Sequence, residues 1–367
     1  MLPYIHQKSA WPNFYWDQHR VHERLADVRN LQGRVLGRME SLGFELQNEA
    51  NFENLTLDVL KSSEIEGELL DLAQVRSSLA RRLGIEINPS VHSDRDVEGV
   101  VEMLLDATQN CYEPLSSERL FSWHAALFPT GRSGMYKIDV GKWRNDSTGA
   151  MQVVSGALGK EKVHFEAPHA DLVPQEMERF LQWFNQENNI NNLLKAAIAH
   201  LWFLTIHPFD DGNGRIARAL SDLLLARSDN SPMRFYSMSA QIRLERKEYY
   251  NILEKTQQGN LDITEWMLWF LNCLNGSFEA TLNLSNRVPK KAEFWRMHAT
   301  TVLNERQVTM LNKVLDGFDG NLTSRKWSLI TKCSKDTAVR DINDLINKNV
   351  LRKNDAGGRS ASYLLWD

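Results

Sequence analysis

The feature that most constrains this chain is an apolar run that has to stop abruptly. Leu193, Leu194, Ala197, Ile198, Leu201, Phe203, Leu204 and Ile206 recur at helical spacings, which predicts a buried helix. Pro208 cannot continue it, because proline lacks the backbone N–H and its ring collides with the preceding turn, so His207 falls at the helix exit. Asp210, Asp211, Gly212, Asn213 and Gly214 then make a glycine-rich turn, and Arg215 to Arg227 read as a second helix with alanines and leucines on its inner face. A chain with this order folds around a packed helix pair and holds a polar loop at one end of it.

That loop suits an anion. A glycine-rich turn feeding a helix N-terminus points backbone N–H groups and the positive end of the helix dipole into one concavity. Around it stand Asp211, a carboxylate for Mg²⁺, the amide of Asn213, and the guanidinium groups of Arg215 and Arg218, which suit polyphosphate. Three residues apart, the two arginines share a helical face. His207, whose reference pKa is near neutrality, could take a proton from an attacking hydroxyl. Singly these residues prove little, since such turns are common loop formers and helix arginines usually lie in solvent. Together they read as a group-transfer site.

At 367 residues the chain is too long for one ordinary core and is expected to divide into two or three domains. With 42% hydrophobic and 25% charged residues the composition is that of an ordinary globular protein, without disorder or collagen-like repetition. A net charge of −4 gives the whole molecule no electrostatic reason to coat nucleic acid or anionic membrane. Cys111, Cys273 and Cys333 are far apart and lack zinc or redox spacing, so reduced thiols and a cytoplasmic location are expected. The N-terminus lacks a signal-peptide pattern, and no apolar stretch is long enough to span a membrane. Helical spacing dominates the body, while Met151 to Pro168 read as two short β-like runs around a glycine-rich turn.

The run HPFDDGNGRIAR, residues 207–218, matches the Fic family signature His-x-Phe-x-Asp/Glu-Gly-Asn-Gly-Arg-x-x-Arg at every specified position. The chain resembles Fic proteins over about residues 95–285. The resemblance implies a protein adenylyltransferase, in which His207 is the general base for a Ser, Thr or Tyr hydroxyl that attacks the α-phosphate of ATP. By the same resemblance Asp211 holds Mg²⁺, Gly212, Asn213 and Gly214 form the anion cradle, and Arg215 with Arg218 bind the β- and γ-phosphates. Val163, His164 and Phe165 are implied as the centre of a flap that pairs with the target's backbone. Tyr250 and Leu253, with Gln257, are implied against the adenine ring. Gly214 stands where phosphorylating Doc-type relatives carry lysine, which favours nucleotidyl over phosphoryl transfer.

Lys61 to Glu68 resemble the family's inhibitory helix, Ser/Thr-x-x-x-Glu-Gly/Asn, through Ser62, Glu66 and Gly67. The implied brake is a pairing of Glu66 with Arg218 that displaces the γ-phosphate. Some brake-bearing relatives also remove AMP, so a deAMPylating role for Glu66 stays open, as does self-modification.

Residues 290–367 hold 14 Lys or Arg against 9 Asp or Glu, a local excess of +5. They resemble a winged helix, with a turn near Cys333, a second helix from Lys335 to Asn347 and two strands joined by the turn from Asp355 to Gly358. Lys335, Arg340, Arg352, Lys353 and Arg359 suit phosphates, whereas Asp336, Asp341 and Asp344 would oppose DNA. A protein partner or a homodimer is the alternative use of such a module, and slightly the favoured one.

The expected fold is mostly α: a helical N-terminal domain over 1–92, a Fic helical core with a β-hairpin flap over 93–286, and a C-terminal winged helix over 290–367. Two functional readings stand, a self-inhibited AMP-transferring enzyme and an ATP-sensing, DNA-binding transcriptional regulator whose Fic-like domain is inactive. An intact His207 favours the first, because sensing needs no base beside the α-phosphate.

Overall fold

The computed structural model describes residues 4–86, 91–147, 149–156, 162–186, 190–315, 320–354 and 361–366, with the side chains of 284–293 left out of that description. Two compact units result, Met1–Ala280 and Thr281–Asp367.

Local capping sets where the helices of the first unit begin and end. Asp17 accepts a hydrogen bond from the Arg20 N–H at the start of α1 (Gln18–Glu40). The long leucine-patterned stretch that follows divides into α2 (Phe44–Ile65) and α3 (Leu72–Leu83). Gly67, at φ +91°, turns the chain between them, and Gly84, at φ +69°, closes α3 in the left-handed conformation expected of a C-terminal glycine. The amphipathic α4 (Arg95–Gln109) and α5 (Ser117–Leu127) follow.

Two hairpins interrupt the helices. The first, β1 (Arg132–Ser133) with β2 (Tyr136–Lys137), has no counterpart in the sequence reading. The second, β3 (Gln152–Ser155) with β4 (Lys162–Glu166), is the expected flap, antiparallel with an irregularity between Val153 and Val154. Residues 157–161 of its turn lie outside the described residues.

The chain then returns through α6 (Val173–Asn185) to the central pair α7 (Asn192–Ile206) and α8 (Asn213–Asp229). Every residue of α7 from Leu193 to Ile206 is buried, so it is wrapped by neighbours on all sides. α8 packs on α7 and α4, while α9 (Met238–Leu244) and α10 (Arg246–Gln257) flank the mouth of the pair, α9 lying against α2. The N-terminal helices and the helices around the motif thus share one unit.

α11 (Thr264–Met297) runs on through the polar stretch near residue 286, where the sequence pattern changes. In the second unit α12 (Glu305–Leu315), α13 (Ser324–Ile330) and α14 (Lys335–Asn347) precede an antiparallel ribbon of β5 (Leu351–Lys353) and β6 (Tyr363–Leu365). Leu322 adds a bridge to Tyr363, and the unit packs around a core that includes Trp327, Met310, Ile342 and Leu345. The turn at 355–358 and Arg359 fall outside the described residues. Among the described residues no helix is long and apolar enough to cross a membrane.

Candidate active site

α7 ends as the proline requires. His207 closes it with φ +51° and ψ +59°, a left-handed conformation that costs a non-glycine residue energy and persists only where neighbours enforce it. The enforcing neighbour is Arg144, which is 3% exposed: its Nε donates to the His207 carbonyl at 2.8 Å, and its own N–H donates to the Pro208 carbonyl at 2.9 Å. Asp146 holds this guanidinium at 2.9 Å. Nδ1 of His207 lies 3.4 Å from the Leu204 carbonyl, a group that can only accept, so the contact places the proton on Nδ1 and leaves the Nε2 lone pair open. Burial, reinforced by the charge of Arg144, lowers the imidazole pKa from 6.5 to about 4, so His207 is neutral at ordinary pH.

The loop after it is held from both sides. The Asn213 side chain is buried and closes on Phe209, accepting from its N–H at 3.0 Å and donating to its carbonyl at 2.8 Å. The amide expected to face a phosphate is therefore committed to shaping the loop, and Asn213 has its backbone N–H left to offer. Gly212 caps α8 at φ +80°, where a Cβ would meet the Phe128 ring at 2.9 Å, so both conformation and space require glycine.

Buried His124 stacks on Phe209 with ring centroids 4.2 Å apart. Its Nδ1 accepts from the Gly141 N–H and its Nε2 donates to the Asp211 carbonyl, each at 3.2 Å, which fixes the neutral tautomer. The Asp211 carboxylate takes the Gly212 N–H at 2.6 Å and the Ser133 hydroxyl of the β1–β2 hairpin. Among the described residues no group of three or more His, Cys, Asp or Glu converges to hold a metal. One oriented carboxylate fits a Mg²⁺ ion that takes its other ligands from phosphate oxygens and water.

Both motif arginines are buried, Arg215 at 3% and Arg218 at 2% exposed, and both are met by carboxylates from the cap of α2 and the turn that follows it. Arg218 pairs with Glu66 at 2.8 Å through Nη2, and donates at 2.9 Å from Nε to the Ser62 hydroxyl and from Nη2 to the Ser62 carbonyl. Burial works against its charge, but the Glu66 carboxylate more than offsets this and the pKa is raised. Arg215 pairs with Glu68 at 2.7 Å and lies over the Phe128 ring. Gly214 leaves the space for this contact, since a Cβ there would sit 2.1 Å from the Glu66 carboxylate oxygen. Arg246 Nε donates to the Ile65 carbonyl at 2.7 Å, and the Tyr250 hydroxyl stands 3.5 Å from Glu66, so α10 clasps the same helix end.

Beside these groups opens a cavity of about 830 Å³ whose lining includes Glu66, His207, Gly214, Tyr250, Leu253 and Gln257. Tyr250 and Leu253 are half-buried walls, as an apolar ring requires. Gln257 is buried and its amide reaches the Leu204 carbonyl and the Thr205 hydroxyl at 3.4 Å, so it belongs as much to the packing of α7 as to the cavity.

On the flap, Val163 alone of the three expected docking residues presents an exposed side chain. Phe165 is buried against Tyr4 and His6, and His164 is held by Glu254 at 2.6 Å, with its carbonyl accepting from Gln258. The reason is packing: an aromatic ring at the root of the hairpin is worth more against the N-terminal segment than in water. Sequence reasoning missed Arg144, His124 and Ser133, which belong to no motif or periodic pattern, and gave no role to Glu68, which ends the segment Lys61 to Glu68.

Residues 114–225 match the model of the Fic/DOC family, and residues 4–85 match a domain of unknown function, DUF4172. The chain is 26% identical over 252 residues to the protein adenylyltransferase Fic of Drosophila mojavensis, covering 66% of this chain and 44% of that one. For the protein of the same description from Drosophila erecta the figures are 26% over 289 residues, 73% and 52%. The chain thus spans about half the length of the curated relatives it matches. In fold it resembles a Fic family protein from Desulfovibrio desulfuricans, with a TM-score of 0.54, 20% identity, and coverage of 96% of this chain and 97% of that chain. A Fic domain containing signaling protein from Bacteroides thetaiotaomicron gives a TM-score of 0.51 at 21% identity, covering 74% and 97%.

Proposed function

We propose that this chain, which carries a Fic/DOC domain, moves AMP from ATP onto a Ser, Thr or Tyr hydroxyl of a protein, and that the end of its own α2 holds that activity down. The observation that carries the reading is the pairing of an open, neutral His207 with two buried arginines whose present partners are carboxylates. Two guanidinium groups at a helix N-terminus beside a glycine turn constitute a polyphosphate site, and a base at its edge has a use only if a proton is to be taken.

In the proposed reaction Nε2 of His207 takes the proton of the acceptor hydroxyl as its oxygen attacks the α-phosphorus. The bond from that phosphorus to the α,β-bridging oxygen breaks, and pyrophosphate leaves. Arg215 and Arg218 hold the charge of the β- and γ-phosphates, and the N–H groups of Asn213 and Gly214 donate to phosphate oxygens, while Gly212, whose N–H goes to the Asp211 carboxylate, shapes the turn beneath them. Asp211 would hold Mg²⁺, which when bound spreads the charge developing on the leaving group. Tyr250 and Leu253 flank the base of the nucleotide. On this reading the Glu66 carboxylate competes for Arg218 with the terminal phosphate and favours an unproductive pose.

The test is transfer of label from ATP labelled at the α-phosphate, with Mg²⁺, to protein in a lysate or to the chain itself, read by gel and mass spectrometry. We expect labelled Ser, Thr or Tyr from the parent chain or its Glu66→Gly variant, and none after His207→Ala. Measured ATP binding without label from any variant would sink the reading.

A further inference from the structure

The basic C-terminal unit has no part in this chemistry, and three acidic residues on α14 argue from sequence against nucleic acid. The structure reverses that argument for two of them. Asp341 is 5% exposed and turned inward, where it accepts from Arg306 at 2.8 and 3.1 Å and from Asn304 at 2.9 Å. Asp344 is taken by Gln307 at 2.8 Å and by Lys348. Both carboxylates are neutralised by neighbours in the same unit.

What α14 turns outward is different. Ala338, Ile342 and Leu345, each 0% exposed, point into the core, and the opposite stripe at helical spacing is Asp336, Arg340, Asn343 and Asn347, all exposed. Lys332 and Lys335 stand exposed at the N-terminal end of the helix, and Lys353 is exposed on β5 beside it. None of Lys332, Lys335, Arg340 and Lys353 pairs with a carboxylate among the described residues, whereas Arg306 and Lys348 do. The outward face therefore carries four uncompensated cations against Asp336, within a segment whose balance is +5 in a chain of net −4.

We propose that the unit Thr281–Asp367 binds duplex DNA, with α14 in the major groove. A helix followed by a ribbon is the shape that fits that groove. Arg340 suits the acceptor pair of guanine, and Asn343 and Asn347 suit adenine. Lys332, Lys335 and Lys353 suit the flanking phosphates, and the one outward carboxylate, Asp336, can accept from the amino group of cytosine. This surface is independent of nucleotide transfer, and its test contains no ATP.

The experiment is fluorescence anisotropy of the full chain with a labelled random-sequence duplex of about 30 base pairs, followed by selection of bound sequences from a randomised duplex pool. Three phosphate-neutralising lysines give a slope of log affinity on log salt near −2.7, roughly a 40-fold loss between about 50 and 200 mM. Lys335→Ala should shallow the slope by about one, and Arg340→Ala should relax the selected sequence at one position by about 5- to 150-fold. His207→Ala should bind like the parent chain. Absence of binding at about 50 mM salt would overturn the proposal, as would binding that Lys335→Ala and Arg340→Ala leave untouched. Loss of self-association in Arg340→Ala by sedimentation, without DNA binding, would assign the face to a protein partner instead.

Discussion

Replacing Glu66 by glycine removes the carboxylate that meets Arg218 at 2.8 Å and leaves the flanking Ser62 contacts in place. Arg218 is 2% exposed and the Glu66 side chain 30%, so the bond is charge-assisted and mostly shielded from water on the arginine side. Such a bond contributes about 1.5–3 kcal/mol net. If it is what excludes the productive placement of the terminal phosphate, its loss shifts that population by about 10- to 150-fold, at 1.4 kcal/mol per factor of ten.

Glu68 ranks below it, because its side chain is 46% exposed and an exposed pair contributes at most about 1 kcal/mol, or about fivefold. The assay is the initial rate of label transfer at saturating Mg-ATP for the parent chain, Glu66→Gly and Glu68→Gln, with melting temperatures alongside. Without nucleotide, Glu66→Gly should melt earlier than the parent, since Arg218 is left buried and short of a partner, and ATP should restore more stability to it than to the parent. A folded, ATP-binding Glu66→Gly that transfers no faster than the parent chain would refute the reasoning. A larger gain from Glu68→Gln would refute the ranking by burial.

Gly214→Ala places a methyl group 2.1 Å from the Glu66 carboxylate oxygen, so it should destabilise the parent chain by more than 1 kcal/mol and cost far less in Glu66→Gly; additive denaturation midpoints in the double variant would contradict this. His207 should titrate near 4 rather than 6.5 in isotope-edited NMR of the nucleotide-free chain, and Arg144→Gln should raise that value, because a neighbouring positive charge is removed. Buried His124 and His200 have folded pKa values lowered by burial from 6.5 to about 4 and about 3, so the unfolded chain takes up protons first as pH falls. Their contribution is complete above about pH 6.5 and is lost as pH falls toward about 4 for His124 and about 3 for His200, costing about 2 kcal/mol each at pH 5; urea midpoints at pH 7 and 5 that agree would disprove it.

How legible this molecule was depended on whether a residue's partner lies near it in sequence. The α7–loop–α8 unit was readable because Pro208, Gly212 and the leucine spacing act within a few residues of themselves. Gly84 as the end of α3 and Lys335–Asn347 as α14 were readable for the same reason. The inward turn of Asp341 was not, because a carboxylate on a helix reads as solvated until Arg306, 35 residues earlier, is seen beside it. Arg144 behind His207, 63 residues apart, and Glu68 before Arg215, 147 apart, leave no periodic trace.

The Glu68 contact also indicates what the end of α2 does physically. A fold that buries two guanidinium groups at 3% and 2% exposure must supply anions to them, since an uncompensated buried charge costs several kcal/mol. A nucleotide would supply those anions when bound; in its absence Glu66 and Glu68 do so from within the chain. On the proposed reading the restraint is therefore not an addition to a finished enzyme. It is the means by which a polyphosphate site remains folded while empty, and removal of the brake should always lower stability without nucleotide as it raises activity with it.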